Sequence, residues 1–323
     1  MLFKIKKEGL QMKVKLFSHS DLDGVGCGII GELAFPQIDI EYCDYDNVNE
    51  KVKQYIETEK YKNYDTTFIT DISVNEQLAK SIDEVFTQEH EFVLLDHHKT
   101  ALWLNDYKWA CVAENISDNM KHSGTEMFYN NVLTFYINKF DHTDIYNALI
   151  DASDFVEMVR RYDTWEFKTI YNDKNPKMLN DLMYLKGRDR FIADAVRQIE
   201  EVNHYSFSWD DLELLKQNQE KIDNYIESKD KSIIVKEING YQVGVVFAER
   251  YSSELGNKLS ELHLELDFIA IINPSHSVSY RTIKNNIDLG VIAGIYGGGG
   301  HPKASGSPID DNMRNKIMDL IFA

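Results

Sequence analysis

"FSHSDLDGVGCG", residues 17–28, closes the short apolar stretch "KVKLFS" (13–18) and leads into a segment spaced by glycines. It reads as the end of a strand, a turn and the start of a helix, with His19, Asp21 and Asp23 on alternate residues. Alternation in an extended backbone directs side chains to one side, so an imidazole and two carboxylates converge unless each is separately solvated. Convergent acids repel one another and require a cation. The glycines that follow let a helix begin close to that charge.

Outward from this stretch the chain keeps alternating. A helix is expected over 24–35, a strand over 38–45, a helix near 47–60, a strand in "TTFITD" (66–71), a helix near 75–88 and a strand in "EFVLLD" (91–96). Strands alternating with helices predict βαβ units, hence an α/β fold with a doubly wound, mostly parallel sheet. In such sheets ligands bind outside the carboxyl ends of the strands. Asp71 ends one further strand and Asp96-His97-His98 another, so three distant segments are expected at one edge. Asp44 and Asp46 in "YCDYDNVN" read as turn residues, and His90 and His276 have no clustered partner.

Four carboxylates and up to three imidazoles exceed the four positions of a structural zinc site and include no thiolate. Mixed oxygen and imidazole donors favour Mn²⁺ over Mg²⁺, with Co²⁺ or Fe²⁺ as substitutes. Two such ions roughly 3.5–4 Å apart hold a hydroxide and the non-bridging oxygens of a phosphoryl group, which implies phosphoester hydrolysis.

Residues 122–163 read as largely helical, and 209–232 as an exposed helical connector rich in charge. Strands are expected in "YQVGVVFAE" (241–249), "DFIAIINP" (267–274) and "SVSYRT" (277–282), then a helix near 287–296 and the run "YGGGGHPKASG" (296–306). These form a second, smaller α/β domain. Two domains also suit 323 residues, more than one hydrophobic core usually serves.

A formal charge of −18, from 35 basic and 53 acidic residues, argues against a protein that coats long nucleic acid. A small anionic substrate held through metal remains compatible. Cys27, Cys43 and Cys111 are far apart and support neither a disulfide framework nor a zinc knuckle, so a reducing, cytoplasmic setting fits. No stretch approaches the roughly 18 apolar residues of a membrane span, and no membrane partner is expected. Lys7-Glu8-Gly9 corresponds to a purine-rich, ribosome-binding-like coding stretch, so residues 1–11 read as sequence upstream of a start at Met12.

"SHSDLDG" (18–24), "TDIS" (70–73) and "LLDHHKT" (94–100) resemble the first three motifs of the DHH phosphoesterases. "SYRT" (279–282) with "GGGGHPKASG" (297–306) resembles the DHHA1 domain that often follows them. The order holds over nearly the whole chain, and the resemblance is nearest to the short-oligonucleotide exonucleases, the nanoRNases, in their Gram-positive branch. It implies a DHH metal-binding domain over 12–190, a mainly helical connector over 191–235 and a DHHA1 substrate-binding domain over 236–323.

The same resemblance implies that Asp21 and Asp23 each bind one of two divalent cations, most readily Mn²⁺, and that Asp71 bridges them. His97 is then a ligand, and His98 touches the scissile phosphate or protonates the leaving oxygen. Asp163 in "RRYDTWEF" (160–167) matches a fourth motif, with Asp151 and Asp154 as rivals. Many relatives place the first histidine four residues ahead of the first Asp, where this chain has Phe17; His19, two residues ahead, is the candidate ligand instead. Arg281 and His301 are the expected substrate contacts. Gly298, Gly299 and Gly300 are expected to let backbone N–H groups approach a phosphate or a base.

The function implied is hydrolysis of short single-stranded oligonucleotides or dinucleotides to nucleoside 5′-monophosphates, with long duplex DNA excluded and a homodimer compatible. The alternatives are a cyclic or linear dinucleotide phosphodiesterase, a phosphatase of 3′-phosphoadenosine 5′-phosphate, and a non-catalytic nucleotide-binding regulator. The intact ligand set argues against the last.

Overall fold

Val14 and Leu16 of β1 (Lys13–His19) point into one apolar cluster and Phe17 into another, because successive strand residues face opposite sides. β2 (Gln37–Cys43), β3 (Thr66–Thr70), β4 (Glu91–Asp96) and β5 (Ala110–Val112) complete a five-stranded sheet in the order β2-β1-β3-β4-β5. Every pair is parallel. The computed structural model describes residues 12–87, 89–139 and 144–322; the segment read as upstream of Met12 lies outside them.

Helix α1 (Leu22–Ala34) covers one face of this sheet, and α2 (Val48–Glu57) and α3 (Glu76–Val85) pack on the other. The sheet is therefore doubly wound, as the alternation predicts. The chain leaves β1 toward β2 on one side and returns to β3 on the other, so the order reverses at β1. Such a switch point opens a crevice at the carboxyl ends of β1 and β3.

A small hairpin, β6 (Asn115–Ser117) and β7 (Met120–Lys121), precedes the helices α4 (Gly124–Lys139), α5 (Asp144–Asp151), α6 (Ser153–Asp163), α7 (Glu166–Thr169), α8 (Asn175–Lys186) and α9 (Arg188–Val202). α9 buries Phe191, Ile192, Ala195 and Ile199 in the same cluster as α1, so it is part of the first unit rather than of a connector beginning at 191. α10 (Trp209–Asp230) is mostly exposed, in line with its charge, yet Leu214 and Leu215 pack on the first unit's core and Ile222 and Ile226 are buried in the second unit's core. The chain divides within this helix, between Leu215 and Lys216.

The second unit holds β8 (Ile234–Ile238), β9 (Tyr241–Phe247), α11 (Ser252–Leu262), β10 (Phe268–Asn273), β11 (Ser277–Arg281), α12 (Leu289–Ile295), β12 (Gly299–His301), β13 (Ala304–Pro308) and α13 (Asp311–Phe322). Six strands form one mixed sheet, β12-β13-β11-β10-β9-β8, where the sequence suggested three. β8 is a mostly exposed edge strand, and β12 and β13 are rich in glycine and serine, so none carries a buried β-branched pattern. Among the described residues no helix is long and apolar enough to cross a membrane.

Candidate active site

His19 is the last residue of β1, but Asp21 and Asp23 do not continue the strand. Asp21 is the N-cap of α1, its Oδ1 accepting from Gly24 N–H at 3.1 Å, and Asp23 sits in the first helical turn. The three residues converge because the strand turns sharply into the helix, not because they share a strand face. Gly24 is required for that turn: a Cβ there would lie 2.0 Å from the His19 carbonyl oxygen.

Asp23 is buried, and its two carboxylate oxygens accept the N–H groups of Gly124 (2.5 Å) and Thr125 (2.9 Å) at the start of α4. Unpaired N–H groups at a helix start suit a carboxylate. Asp71 follows β3 with φ of 58°, a left-handed conformation uncommon for aspartate. Its N–H donates to the Leu95 carbonyl at 3.0 Å. Gly124 abuts it so closely that a Cβ on Gly124 would fall 2.4 Å from Asp71 Cβ.

Asp96 ends β4 fully buried. Its Oδ1 accepts from the backbone N–H of His97 (2.7 Å) and His98 (3.2 Å) and from His98 Nδ1–H (2.7 Å), and its Oδ2 accepts from Ser73 Oγ. These bonds occupy Asp96 as an orienter of the two histidines. Asp163, the last residue of α6, lies 3.5 Å from His97 Nε2, which is also 3.1 Å from Asp71 Oδ1 and 3.5 Å from Asp23 Oδ2.

The rivals of Asp163 are not brought here. Asp154 is exposed at the opposite end of α6, about 13 Å along the axis at 1.5 Å per residue. Asp151 ends α5, beside a cavity it shares with Asp144 and Glu200. Phe17, four residues ahead of Asp21, is buried in the core. His19 takes up the edge position, with Nδ1 3.0 Å from Asp21 Oδ2 and 3.7 Å from Asp71 Oδ2.

Three groups of donor atoms result; in one of them, Asp71, Asp96, His97 and His98, Asp96 is already taken up by hydrogen bonds, and the other two form a pair of open sets. One atom each from His19, Asp21 and Asp71 lie within 4.8 Å of one another, and so do atoms of Asp23, His97 and Asp163. Asp71 is shared, since its Oδ1 faces His97 in the second set.

The electrostatics match a cation site. Burial, followed by the charges of Asp23 and Asp21, pushes the Asp71 carboxyl well above its ordinary value. The same causes push Asp163 up to about 8. Asp71 Oδ2 is buried and accepts no hydrogen bond. An orphaned buried oxygen among four acids is costly without a counter-charge, so the residues present fit divalent metal. Burial lowers the His97 pKa, which keeps the ring neutral as a ligand must be. The hydrogen bond to Asp96 raises that of His98 against the effect of burial.

In the second unit, Arg281 pairs with Ala304, and Ala304 with His301, across β11, β13 and β12. Residues in register share a sheet face, so Arg281 and His301 stand in one row, about 10 Å apart at two strand spacings. Arg281 donates to its neighbour's carbonyl, that of Tyr280, and to Ser253 Oγ on α11. His301 is exposed.

The glycine run has a structural use that the sequence did not suggest. Gly297 takes φ of 73° past α12 and donates to the Gly294 carbonyl, while Gly298 N–H donates to that of Ala293. This is a Schellman cap, so the Gly298 N–H is already occupied. A Cβ on Gly298 or Gly300 would strike β13 backbone, whereas one on Gly299 would meet open space.

Several site residues escaped the sequence: Ser73, the Gly124-Thr125 pair, and Tyr45, whose hydroxyl lies 3.2 Å from His98 Nε2. Behind Asp163, buried Arg160 joins Glu166 at 2.8 Å, and Glu166 accepts the Lys121 N–H at 2.9 Å. The S-x-x-E pattern at 123–126 marks a helix start. Nothing in it announces that Asp23 docks there.

No family model matches the chain. Oligoribonuclease NrnB of Bacillus subtilis (strain 168) is 41% identical over 312 residues, covering 95% of this chain and 75% of that protein. Among solved structures, the pGpG-specific phosphodiesterase PggH of Vibrio cholerae superposes with a TM-score of 0.53 at 12% identity, covering 96% of this chain and 97% of that one. An exonuclease RecJ bound to manganese gives 0.51 at 11% identity, over 97% and 90% of the two chains. At such identities these two structures bear on the fold alone.

Proposed function

The chain belongs to the DHH phosphoesterase family, with oligoribonuclease NrnB as its relative, and from that premise we propose that it hydrolyses short oligonucleotides to nucleoside 5′-monophosphates. The observation that carries the reading is the pair of donor sets at the switch point, joined by Asp71. Divalent cations bound there, two of them and most readily Mn²⁺, supply Lewis-acid stabilisation of the phosphoryl oxygens and a water of lowered pKa.

The remaining roles fall to the chain. Asp21 and His19 serve one set, Asp23, His97 and Asp163 the other, and Asp71 both. Asp96 holds His98 through Nδ1–H, which leaves Nε2 as the atom that meets the leaving oxygen. Tyr45 occupies Nε2 in the free protein and gives way to that oxygen. In the second unit, Arg281 and His301, with the open approach at Gly299, are the groups assigned to substrate binding. A homodimer is compatible with this reading.

The deciding experiment is hydrolysis of RNA of two, five, ten and twenty-four residues at low and high salt, with pGpG and 3′-phosphoadenosine 5′-phosphate alongside. A long substrate needs a basic track, which gives a log–log salt slope near −0.7 per phosphate contact. With a charge of −18 and no long Lys/Arg run near its motifs, this chain should prefer two to five residues, with a slope of roughly −2 or shallower. Preference for the 24-mer would reassign it to long substrates, and hydrolysis of pGpG or 3′-phosphoadenosine 5′-phosphate alone would replace the oligonucleotide reading.

Arg281→Lys or His301→Ala should raise KM for a pentanucleotide about tenfold, the worth of one hydrogen bond to a charged group. The same changes should leave bis-p-nitrophenyl phosphate hydrolysis nearly unaltered. Equal losses on both substrates would remove the second unit's residues from substrate binding.

A further inference from the structure

Tyr45 lies in the turn between β2 and α2, at the carboxyl edge of the sheet. It is 59% exposed, yet its ring is held from two sides. The ring centroid is 4.9 Å from that of His19 at an interplanar angle of 47°, and 6.1 Å from that of His98 at 90°. The hydroxyl adds the contact to His98 Nε2. The turn itself is tied down: Asp44 N–H donates to Asn47 Oδ1 at 3.0 Å, the Asp44 carbonyl accepts from the N–H groups of Asn47 and Val48, and its carboxylate accepts from Ser20 Oγ. A large aromatic side chain is thus presented to solvent in a fixed pose, touching one candidate metal ligand and the residue assigned to the leaving oxygen.

We propose that Tyr45 is the floor of a nucleobase subsite, stacking against the base of the nucleotide next to the scissile phosphate. The proposal rests on the short-oligonucleotide reading above. The carboxylate cluster attracts cations and, through them, phosphate, but it offers a base nothing to lie on. An aromatic face does so without regard to sequence, because every base has a π-face. Stacking is also nearly independent of charge, which suits a chain of net −18 acting on an anionic substrate. Preorganisation by His19, His98 and the turn limits the ordering cost of binding.

The test compares the dinucleotide pApA with its two singly abasic analogues in wild type, Tyr45→Phe and Tyr45→Leu. Steady-state kinetics are measured with Mn²⁺, and binding by calorimetry in EDTA. Tyr45→Leu should weaken pApA, in KM and in Kd, by about 5- to 150-fold, the range for losing one stacked base. It should leave one abasic analogue unchanged, while Tyr45→Phe keeps the wild-type preference. Melting temperatures within a few degrees of wild type are expected, since the side chain is exposed.

Equal losses on pApA and on both abasic analogues, or a Phe variant as impaired as Leu, would overturn the subsite. Wild-type turnover of pApA with no difference among variants would overturn it while leaving the oligonucleotide reading intact. A wild type that neither binds nor hydrolyses pApA would end both. If wild type binds in EDTA but does not turn over, the binding arm alone decides for or against Tyr45.

Discussion

Replacing Asp71 by Asn should leave hydrolysis near background, beyond the roughly 10²–10³-fold loss that follows removal of a single preorganised electrostatic contact. Asp71 belongs to both donor sets: Oδ1 faces His97 at 3.1 Å, and Oδ2 is enclosed without a hydrogen bond, 3.7 Å from His19. Its loss therefore damages the two sets together. The variant should nevertheless fold, and in EDTA it should be more stable than wild type at pH 8.

The sign follows from the raised carboxyl. A folded-state pKa well above 3.8 means that the native state holds a proton the unfolded chain has already released, so wild-type stability falls as pH rises through that window. Asn carries no such penalty. The gap between the two melting curves should close as pH falls toward about 4, and added Mn²⁺ should stabilise wild type far more than the variant. Full activity of wild type in EDTA would sink the metal-dependent reading, and an Asp71→Asn protein with most of its activity would remove Asp71 from it.

His98→Ala should lower kcat by about 10²–10⁴-fold, the usual worth of a positioned general acid or base, and leave metal content unchanged. His97→Ala should reduce the metal bound per chain and recover partly at high Mn²⁺. The distinction comes from the ring nitrogens. His98 Nδ1 is committed to Asp96 and its Nε2 reaches Tyr45, whereas His97 Nε2 lies among Asp71, Asp23 and Asp163. Parallel kinetics and metal analysis read the two roles apart, and the reverse pattern would exchange them.

How far this site was legible in the sequence depended on distance along the chain. The alternation of strand and helix identified the parallel sheet, and with it the edge that gathers residues 19–23, 71 and 96–98, because those residues follow their strands directly. Asp163 was visible only through resemblance, since the end of one helix among several carries no local signal. The docking of Asp23 on α4 spans 101 residues and was invisible. The acids that flank Tyr45 read as an ordinary turn, and nothing local marks the ring between them. The glycine run reads as ligand-binding, yet the Schellman cap and the close approach of β12 to β13 account for Gly297, Gly298 and Gly300. α9 reads as part of the helical connector because seven of its fifteen residues are charged, while four buried apolar ones fill the first unit's core.

The bond between Asp23 and the start of α4 also governs when a nuclease centre comes into being during synthesis. A nascent chain that has released only its first hundred residues already displays all three leading motifs, but Asp23 then lacks the two amides that hold it, and its neighbours repel one another. Closing that long loop carries an entropic cost that only a docked helix offsets. Asp163 joins later still. Ribosome-bound fragments ending before residue 124 should therefore capture Mn²⁺ weakly and hydrolyse nothing, so activity waits until most of the first unit has folded.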